Sequence, residues 1–517
     1  MNGRLEVTSR LAAPVPFLHL VKTAEGVQAN GQTSFFVGSR IPDAPGDQGY
    51  FVDWSWDGNT VHVRSEPWGF APVFFHSTAN EFIVSTQIDA VLARRGRATL
   101  DFPALAAFMR LGFFLGDDTP WQGISAIPRS GLISWAPGSG LAVLGDWVCP
   151  PAQDSTREQA VHRYASLFSA SVARRARNDE KIVMPLSGGR DSRHILFELL
   201  KQRRTPDLCI TTDHFPERNN EDIRIASQLC AQLRLTHRRV RQPLRRVSND
   251  SRRVKLTNYG SEEHTWAMSL VDQLLPAGRW ATYDGLAGDV LSAGLFLDRR
   301  QLSLYRDGHL ETLARELCVQ WSSTTDILPC LSSHRVAALL AEEVAIERIR
   351  RELEIHAALE NPLTAFYFWN RTRREIAEYS FSMISRGGTG VPVAPFLDRD
   401  LVEYLLSLPA ALFIDKDFHD ETLRRAYPEW AAIPFEKKEA APAQSHSARL
   451  YWRLLGADLA LFFILGGDDG LTNRRQISLK GLKAFVRARP WHLEWLAGKS
   501  LMRLHLLRSV GLRTAQL

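Results

Sequence analysis

Residues 181–202 read KIVMPLSGGRDSRHILFELLKQ: a short apolar run, the turn Ser187, Gly188, Gly189, Arg190, Asp191, Ser192, then apolar positions at helical spacing. A second apolar run, DLCITTD, follows at 207–213, then a helical stretch at 220–233, THRRV at 236–240, a helical stretch near 262–275 and RWATY at 279–283. Strands alternating with helices in this way require a parallel sheet covered on both faces. Such sheets bind ligands beyond the carboxyl ends of their strands, where residues 187–192 fall. Gly188 and Gly189 let the backbone approach a ligand closely. The N–H groups of the turn and the start of the helix then face an anion. A helix N-terminus contributes only about 0.3–2 kcal/mol toward an anion, too little to hold a polyphosphate. The hydroxyls of Ser187 and Ser192 and a cation are therefore needed as well. Asp191 would repel phosphate unless it holds Mg²⁺, so its presence predicts a metal. The stretch is not a GxxxxGK[ST] loop; the one near match, Gly498-Lys499-Ser500, has Leu493 where glycine is required.

The rest of the chain divides around this unit. Its 517 residues are too many for one small core and predict two or three domains. Residues 30–145 read as short β-rich runs (FFVGSRI, YFVDWSW, TVHVRSE, APVFFHS, EFIVSTQ), a helix at 101–113 and a further strand pair. VCPPAQDS, 148–155, reads as a linker, and TREQAVHRYASLFSASVARRAR, 156–177, as a helix. From 303 onward the pattern is mostly helical, including 334–355 as one helix. Five cysteines without a CxxC pair predict reduced thiols in a cytoplasmic protein, and no cleavable leader is expected. No apolar run reaches 18 residues, so no membrane involvement is expected. The net charge is +6, and HRRVRQPLRRVSNDSRRVK, 237–255, concentrates the arginines. That run reads either as a solvated loop and strand edge or as a contact for phosphate or an acidic substrate.

SGGxDS at a strand-to-helix turn resembles the pyrophosphate loop of N-type ATP pyrophosphatases. ATYDGLAGDVLSAGLFLD (281–298) resembles the SGEGSDE-type loop of the asparagine synthetase family, with Asp289 in the place of its second metal-binding acid. VPVAPFLDRDLVEYLLSLP (391–409) resembles the family's VPFLD-type segment. ETLRRAYPEWAAIPFEKKEA (421–440) resembles its LR-rich helix, which leads to an essential lysine matched best by Lys438, beside Lys437. RSEPWGFAPVFF, FIVSTQIDAVL and TPWQGISAIPRSGLISW look like the second half of the glutaminase domain that precedes the synthetase domain. The resemblance runs from about residue 60 to about residue 440.

That resemblance implies an α/β fold. It has an N-terminal layered β-rich, Ntn-hydrolase-like domain over 1–147 and a parallel-sheet pyrophosphate-loop domain with a large helical part over 156–440. A helical extension, 441–517, follows. It also implies a ligase that uses ATP and Mg²⁺. Ser187, Gly188, Gly189, Asp191 and Ser192 would hold the pyrophosphate, Asp191 and Asp289 the metal, and Leu186 and Thr211 would flank the adenine. Asp284 and Gly285 would approach the nucleotide through backbone atoms. A small-molecule or peptide carboxylate becomes an acyl-adenylate that an amine or ammonia attacks. Lys438 would neutralise charge on the α-phosphate and the tetrahedral intermediate; losing such a donor costs about 3–4 kcal/mol.

Four departures from the family pattern bear on function. Position 2 is Asn and no cysteine precedes Cys149, so glutamine hydrolysis, which needs an N-terminal thiolate, is not expected. Leu286 replaces an acid that is a candidate general base, and Val290 replaces the acid after Asp289. Arg190 fills a position that is often apolar, where it would contact phosphate or cap an exposed helix face. Asp420 stands where a lysine often precedes the LR pair. A family member without glutaminase resembles the amide-forming β-lactam and lasso-peptide macrolactam synthetases. Asparagine formation from aspartate and ammonia stays open. So do an RNA-modifying pyrophosphate-loop enzyme, supported only by the basic run, and an inactive descendant acting as a partner. Nucleic acid is not expected as a ligand.

Overall fold

The structure is a computed structural model. It describes residues 15–41, 48–96, 98–145, 150–176, 181–215, 221–261, 265–274, 280–321, 330–378, 380, 390–430, 432–433, 435, 446–466, 470–489, 496 and 501–509. It is a mixed α/β fold with two antiparallel sheets, one parallel sheet and many helices.

The first part supplies ten strands: β1 (Phe17–Thr23), β2 (Gly26–Gly31), β3 (Ser34–Arg40), β4 (Gly49–Trp56), β5 (Val61–Ser65), β6 (Phe74–Ser77), β7 (Glu81–Ser85), β8 (Ser125–Ala126), β9 (Leu132–Ala136) and β10 (Gly140–Val143). They form two five-stranded antiparallel sheets, ordered β2-β1-β7-β6-β8 and β10-β9-β5-β4-β3. Alternation sets which side is buried: in β5, Val61 and Val63 are buried while His62 is exposed. The sheets meet through Phe82 and Trp135, whose rings stack 5.7 Å apart. The strands expected from 35 to 87 are present, as is the helix, Phe102–Leu111, capped by the Asp101 carboxylate on the Ala104 N–H and closed by Gly112. β2, six mostly exposed residues reading GVQANG, has almost no apolar content; pairing with β1 makes it a strand.

The parallel sheet contains β11 (Lys181–Pro185), β12 (Leu208–Asp213), β13 (His237–Arg241), β14 (Trp280–Tyr283) and β15 (Gly390–Val393), ordered β13-β12-β11-β14-β15. All four pairings are parallel. The strand order reverses between β11 and β14, which opens a crevice beyond their carboxyl ends. Two expectations are corrected. Within the run 237–255 the expected strand edge is present, as the outer strand β13, but Arg246–Leu256 is a helix and not a loop, because Val247, Asn249, Asp250, Arg253 and Val254 are buried on one face. Residues 334–355 make two helices, His334–Leu339 and Glu342–His356, because Ala341 is extended (ψ 159°) and starts the second.

Helices His446–Leu465, Arg474–Arg487 and Leu501–Ser509 end the described chain. They join the main core, with the Arg503 guanidinium 4.5 Å from the Phe108 ring centroid and Arg245 paired with buried Asp458 at 2.5 Å. A buried π-helical stretch, Phe368–Ile376, ties the antiparallel sheets to the parallel one. From it Arg373 Nη2 reaches Asp117 at 2.8 Å; nearby, Trp68 Nε1 donates to the Leu397 carbonyl at 2.9 Å. No helix among the described residues is long and apolar enough to cross a membrane.

Candidate active site

The turn after β11 begins a helix, Arg190–Lys201, with Gly189 at its N-cap. Its hydroxyls bind one another: Ser187 Oγ lies 3.0 Å from Ser192 Oγ, and the Ser187 N–H donates to Ser192 Oγ at 3.2 Å. The Gly189 N–H donates to Ser187 Oγ at 3.1 Å, and the Gly188 N–H donates to the Asp222 carboxylate. Asp222 therefore takes the N–H that an incoming phosphate oxygen would need.

A second turn, after β14, packs directly on the first. The Asp284 N–H donates to the Val393 carbonyl at 2.9 Å, and its carboxylate accepts from the Leu286 N–H at 3.0 Å and from Ser380 Oγ at 2.7 Å. Burial raises the Asp284 carboxyl above its ordinary pKa, against the pull of those two donors. Gly285 and Gly288 bear on Asp191. A β-carbon on Gly285 would stand 2.7 Å from Asp191 Cβ, and one on Gly288 would stand 2.7 Å from Asp191 Cγ and Oδ1. A side chain at either place would force Asp191 to shift, because real Cβ contacts do not come that close. Ala287 takes the left-handed conformation (φ +75°) that starts the short helix Gly288–Ser292, which carries Asp289.

Both turns border one cavity of about 400 Å³. Its walls include Leu186, Ser187, Asp191, Ser192, Asp284, Gly285 and Asp289, so most of the sequence-derived site converges there. Gly188 and Gly189 stand behind, in the turn itself. Thr211 does not face the cavity: its hydroxyl donates to the Leu186 carbonyl at 2.8 Å and contacts His237 Nε2 at 2.8 Å. Thr212, the next residue of β12, lines the wall in its stead. Lys438 and Lys437 lie outside the described residues. Ile210, Trp266, Leu270 and Leu286 make part of the wall apolar, and Arg371 and Thr372 enter from the π-helical stretch.

The sequence reading missed the layer beneath Asp191. His419 Nδ1 is 3.5 Å from Asp191 Oδ1 and 3.0 Å from Ser292 Oγ, and His419 Nε2 is 3.0 Å from His194 Nδ1. Tyr164 OH donates to Ser292 Oγ at 3.0 Å. Burial, helped by Arg190, holds His419 down to about 3, and burial holds His194 well below its ordinary pKa, so both imidazoles are neutral. The His419–Asp191 contact is thus polar, not an ion pair. The next residue, Asp420, takes two hydrogen bonds from Arg190. The helix Phe418–Ala426 therefore holds the turn through adjacent side chains. A histidine next to an acid carries no sequence signal for this.

Among the described residues no group of three His, Cys, Asp or Glu side chains forms a metal site. Asp191 and Asp289 are a pair of hard oxygen donors on one wall. That suits Mg²⁺, which binds through one or two carboxylates and completes its shell with phosphate oxygens and water.

The arginine-rich run is mostly at the surface: Arg238, Arg239 and Arg241 stand exposed on the edge strand β13, and Arg245 and Arg252 are exposed although paired. Arg245 pairs with Asp458, Arg246 with Asp250, and Arg252 with Asp272, while Arg253 is fully buried.

No curated protein matches the chain. Residues 163–254, which contain β11, the Ser187–Ser192 turn, β12 and β13, match the family model described as asparagine synthase, and this match supports the asparagine synthetase family for the domain that carries the turn.

Proposed function

We propose that the protein is an ATP-dependent carbon–nitrogen ligase of the asparagine synthetase family. It activates a carboxylate as an acyl-adenylate, releases pyrophosphate, and passes the acyl group to an amine or ammonia. The observation that carries this reading is the packing of Asp191 against Gly285 and Gly288. It brings two acid-bearing turns to one cavity at the reversal of the parallel sheet. A cavity of about 400 Å³ with apolar and polar walls suits a nucleotide.

The residues divide the work. Ile210, Leu270 and Trp266 offer apolar surface to a base. The Ser187 and Ser192 hydroxyls and the Gly188 and Gly189 N–H groups receive phosphate oxygens once Asp222 gives up the Gly188 N–H. Mg²⁺, held by Asp191 and Asp289, would neutralise charge on the departing pyrophosphate. Lys438 would carry the charge of the α-phosphate. Leu286 brings no proton acceptor, and His214, an imidazole on the same wall, would take the proton from the attacking amine.

Residues 15–145 contain no cysteine, so the two antiparallel sheets bring no thiol nucleophile, and the amine is supplied without glutamine hydrolysis. The amine and carboxylate belong to a small molecule or a peptide, and aspartate with ammonia is the simplest such pair. The two antiparallel sheets would serve as a platform in a glutaminase-like domain over 1–147, followed by a synthetase domain over 156–440 and an extension over 441–517.

Exchange of labelled pyrophosphate into ATP across a panel of carboxylates tests the reading. Exchange should depend on one class of carboxylate and disappear in Asp191→Asn and Asp289→Asn. Formation of ADP in place of AMP would overturn it.

A further inference from the structure

Half of the large apolar side chains that stand exposed lie in one place. Among the described residues sixteen are exposed, and eight of them fall within helices His446–Leu465 and Arg474–Arg487: Leu450, Leu461, Ile464, Leu465, Leu479, Leu482, Phe485 and Val486. Their exposure reaches 81% at Leu465 and 72% at Val486. Single exposed apolar residues are ordinary; a contiguous group marks a contact surface.

The packing of the two helices brings their exposed residues near one another. They touch backbone to backbone: a β-carbon on Gly456 would stand 2.5 Å from the Gly481 carbonyl oxygen, and one on Gly481 would stand 2.7 Å from the Gly456 carbonyl oxygen. On the first helix Leu450, Leu461 and Ile464 share a face opposite the buried Tyr451, Leu455, Leu459 and Phe463. On the second, Leu479, Leu482 and Val486 recur at helical spacing opposite the buried Ile477 and Ala484. So close an approach makes one broad slab, with an apolar side turned from the core.

Charge decides what would cover it. Arg449, Arg453 and Arg475 are exposed on these helices, and Arg489 just beyond the second. The one acid among their described residues, Asp458, is buried and paired with Arg245. A second copy would press one basic face on another. An anionic lipid surface takes apolar side chains and basic rims together.

We propose that this helical pair docks the protein on an anionic membrane surface without spanning it. This departs from the sequence-based expectation of no membrane involvement, which rested on the lack of a spanning run. It stands apart from the proposed chemistry and does not depend on it.

The test is co-sedimentation of the full chain with vesicles of phosphatidylcholine alone or with about a quarter phosphatidylglycerol. The protein should pellet with the anionic vesicles, remain in solution with the neutral ones, and be released by added salt. A variant carrying Leu461→Ser, Ile464→Ser, Leu482→Ser and Val486→Ser should lose about tenfold or more of that partitioning while keeping the wild-type unfolding midpoint. Arg453→Glu with Arg475→Glu, which keeps every apolar residue, should abolish the preference for anionic lipid. Failure to pellet, or equal pelleting of the serine variant, would overturn the proposal. So would a wild-type dimer that the serine variant dissolves without vesicle binding, which would give the face to a second copy.

Discussion

Arg190 and Asp420 lie 230 residues apart and hold each other through two hydrogen bonds, Nε to Oδ1 and Nη2 to Oδ2, the second of 3.0 Å. A cation sits on the turn and an anion on the facing helix Phe418–Ala426, so the pair fastens the helix to the loop. Charge-assisted pairs are worth about 1.5–3 kcal/mol, and Arg190, 39% exposed, loses part of that to solvent. Arg190→Met and Asp420→Asn, alone and combined, should therefore couple by about 1 kcal/mol in urea unfolding. Strict additivity would mean that the two residues do not support one another.

Local pattern made the parallel sheet and its loop legible. Strands β11, β12 and β14 were marked by apolar runs, and Ser187–Ser192 by two glycines between hydroxyls. Asp284, Gly285 and Asp289 were found through a motif, and the cavity joins them to Asp191. What stayed hidden depends on tertiary contact. His419 has no periodic signature; its meaning comes from burial against Asp191 and His194. Thr211 and Thr212 are chemically equal in sequence, and strand alternation, whose phase only the neighbouring strands set, decides which one faces the cavity. The exposed apolar side of helices His446–Leu465 and Arg474–Arg487 reads in sequence as ordinary amphipathic core.

The glycines beneath Asp191 predict a separation of binding from folding. Gly288→Ala forces a β-carbon to 2.7 Å from Asp191 Oδ1 and 2.9 Å from Phe396 Cε2, so the carboxylate must move. Overpacking of this kind costs about 1–3 kcal/mol of stability. Magnesium-dependent ATP binding should weaken about tenfold or more, because a ligating group displaced by a fraction of an ångström no longer meets its partner. Gly456→Ala is the control: its β-carbon would meet Gly481 O at 2.5 Å, remote from the cavity. It should lower stability by a similar amount and leave ATP binding unchanged, as calorimetry would show.

Neighbouring threonines on β12 should behave in opposite ways. Thr212 lines the cavity, so Thr212→Phe should fill it and raise the Kd for ATP about tenfold or more with little change in Tm. Thr211 bonds the Leu186 carbonyl and His237 from within the sheet. Thr211→Val should cost about 1 kcal/mol in unfolding and leave the Kd for ATP as it was. The reverse result would put Thr211 beside the nucleotide.

Glu66 predicts a pH dependence that lies outside the cavity between the two turns. Its buried carboxyl accepts the Phe70 and Ala71 N–H groups and is nonetheless pushed up to about 7 by burial, which outweighs those donors and Arg373. A carboxyl whose pKa is higher in the folded state binds more protons there, so it favours folding at low pH and opposes it as pH rises. The window runs from its ordinary value of 4.5 to about 7, and a shift of that size corresponds to about 3 kcal/mol. Glu66→Gln carries no titrating group. Its amide meets two N–H donors with one acceptor, a penalty that does not vary with pH. In urea unfolding, wild type should therefore lose about 3 kcal/mol relative to Glu66→Gln between about pH 4.5 and about pH 7.5, then level off. Asp118, pushed up to about 6 chiefly by burial, has the same sign but is present in both proteins and cancels in the difference. A difference that stays flat across this range would mean that Glu66 is ionised in the folded state, with its two N–H donors outweighing burial.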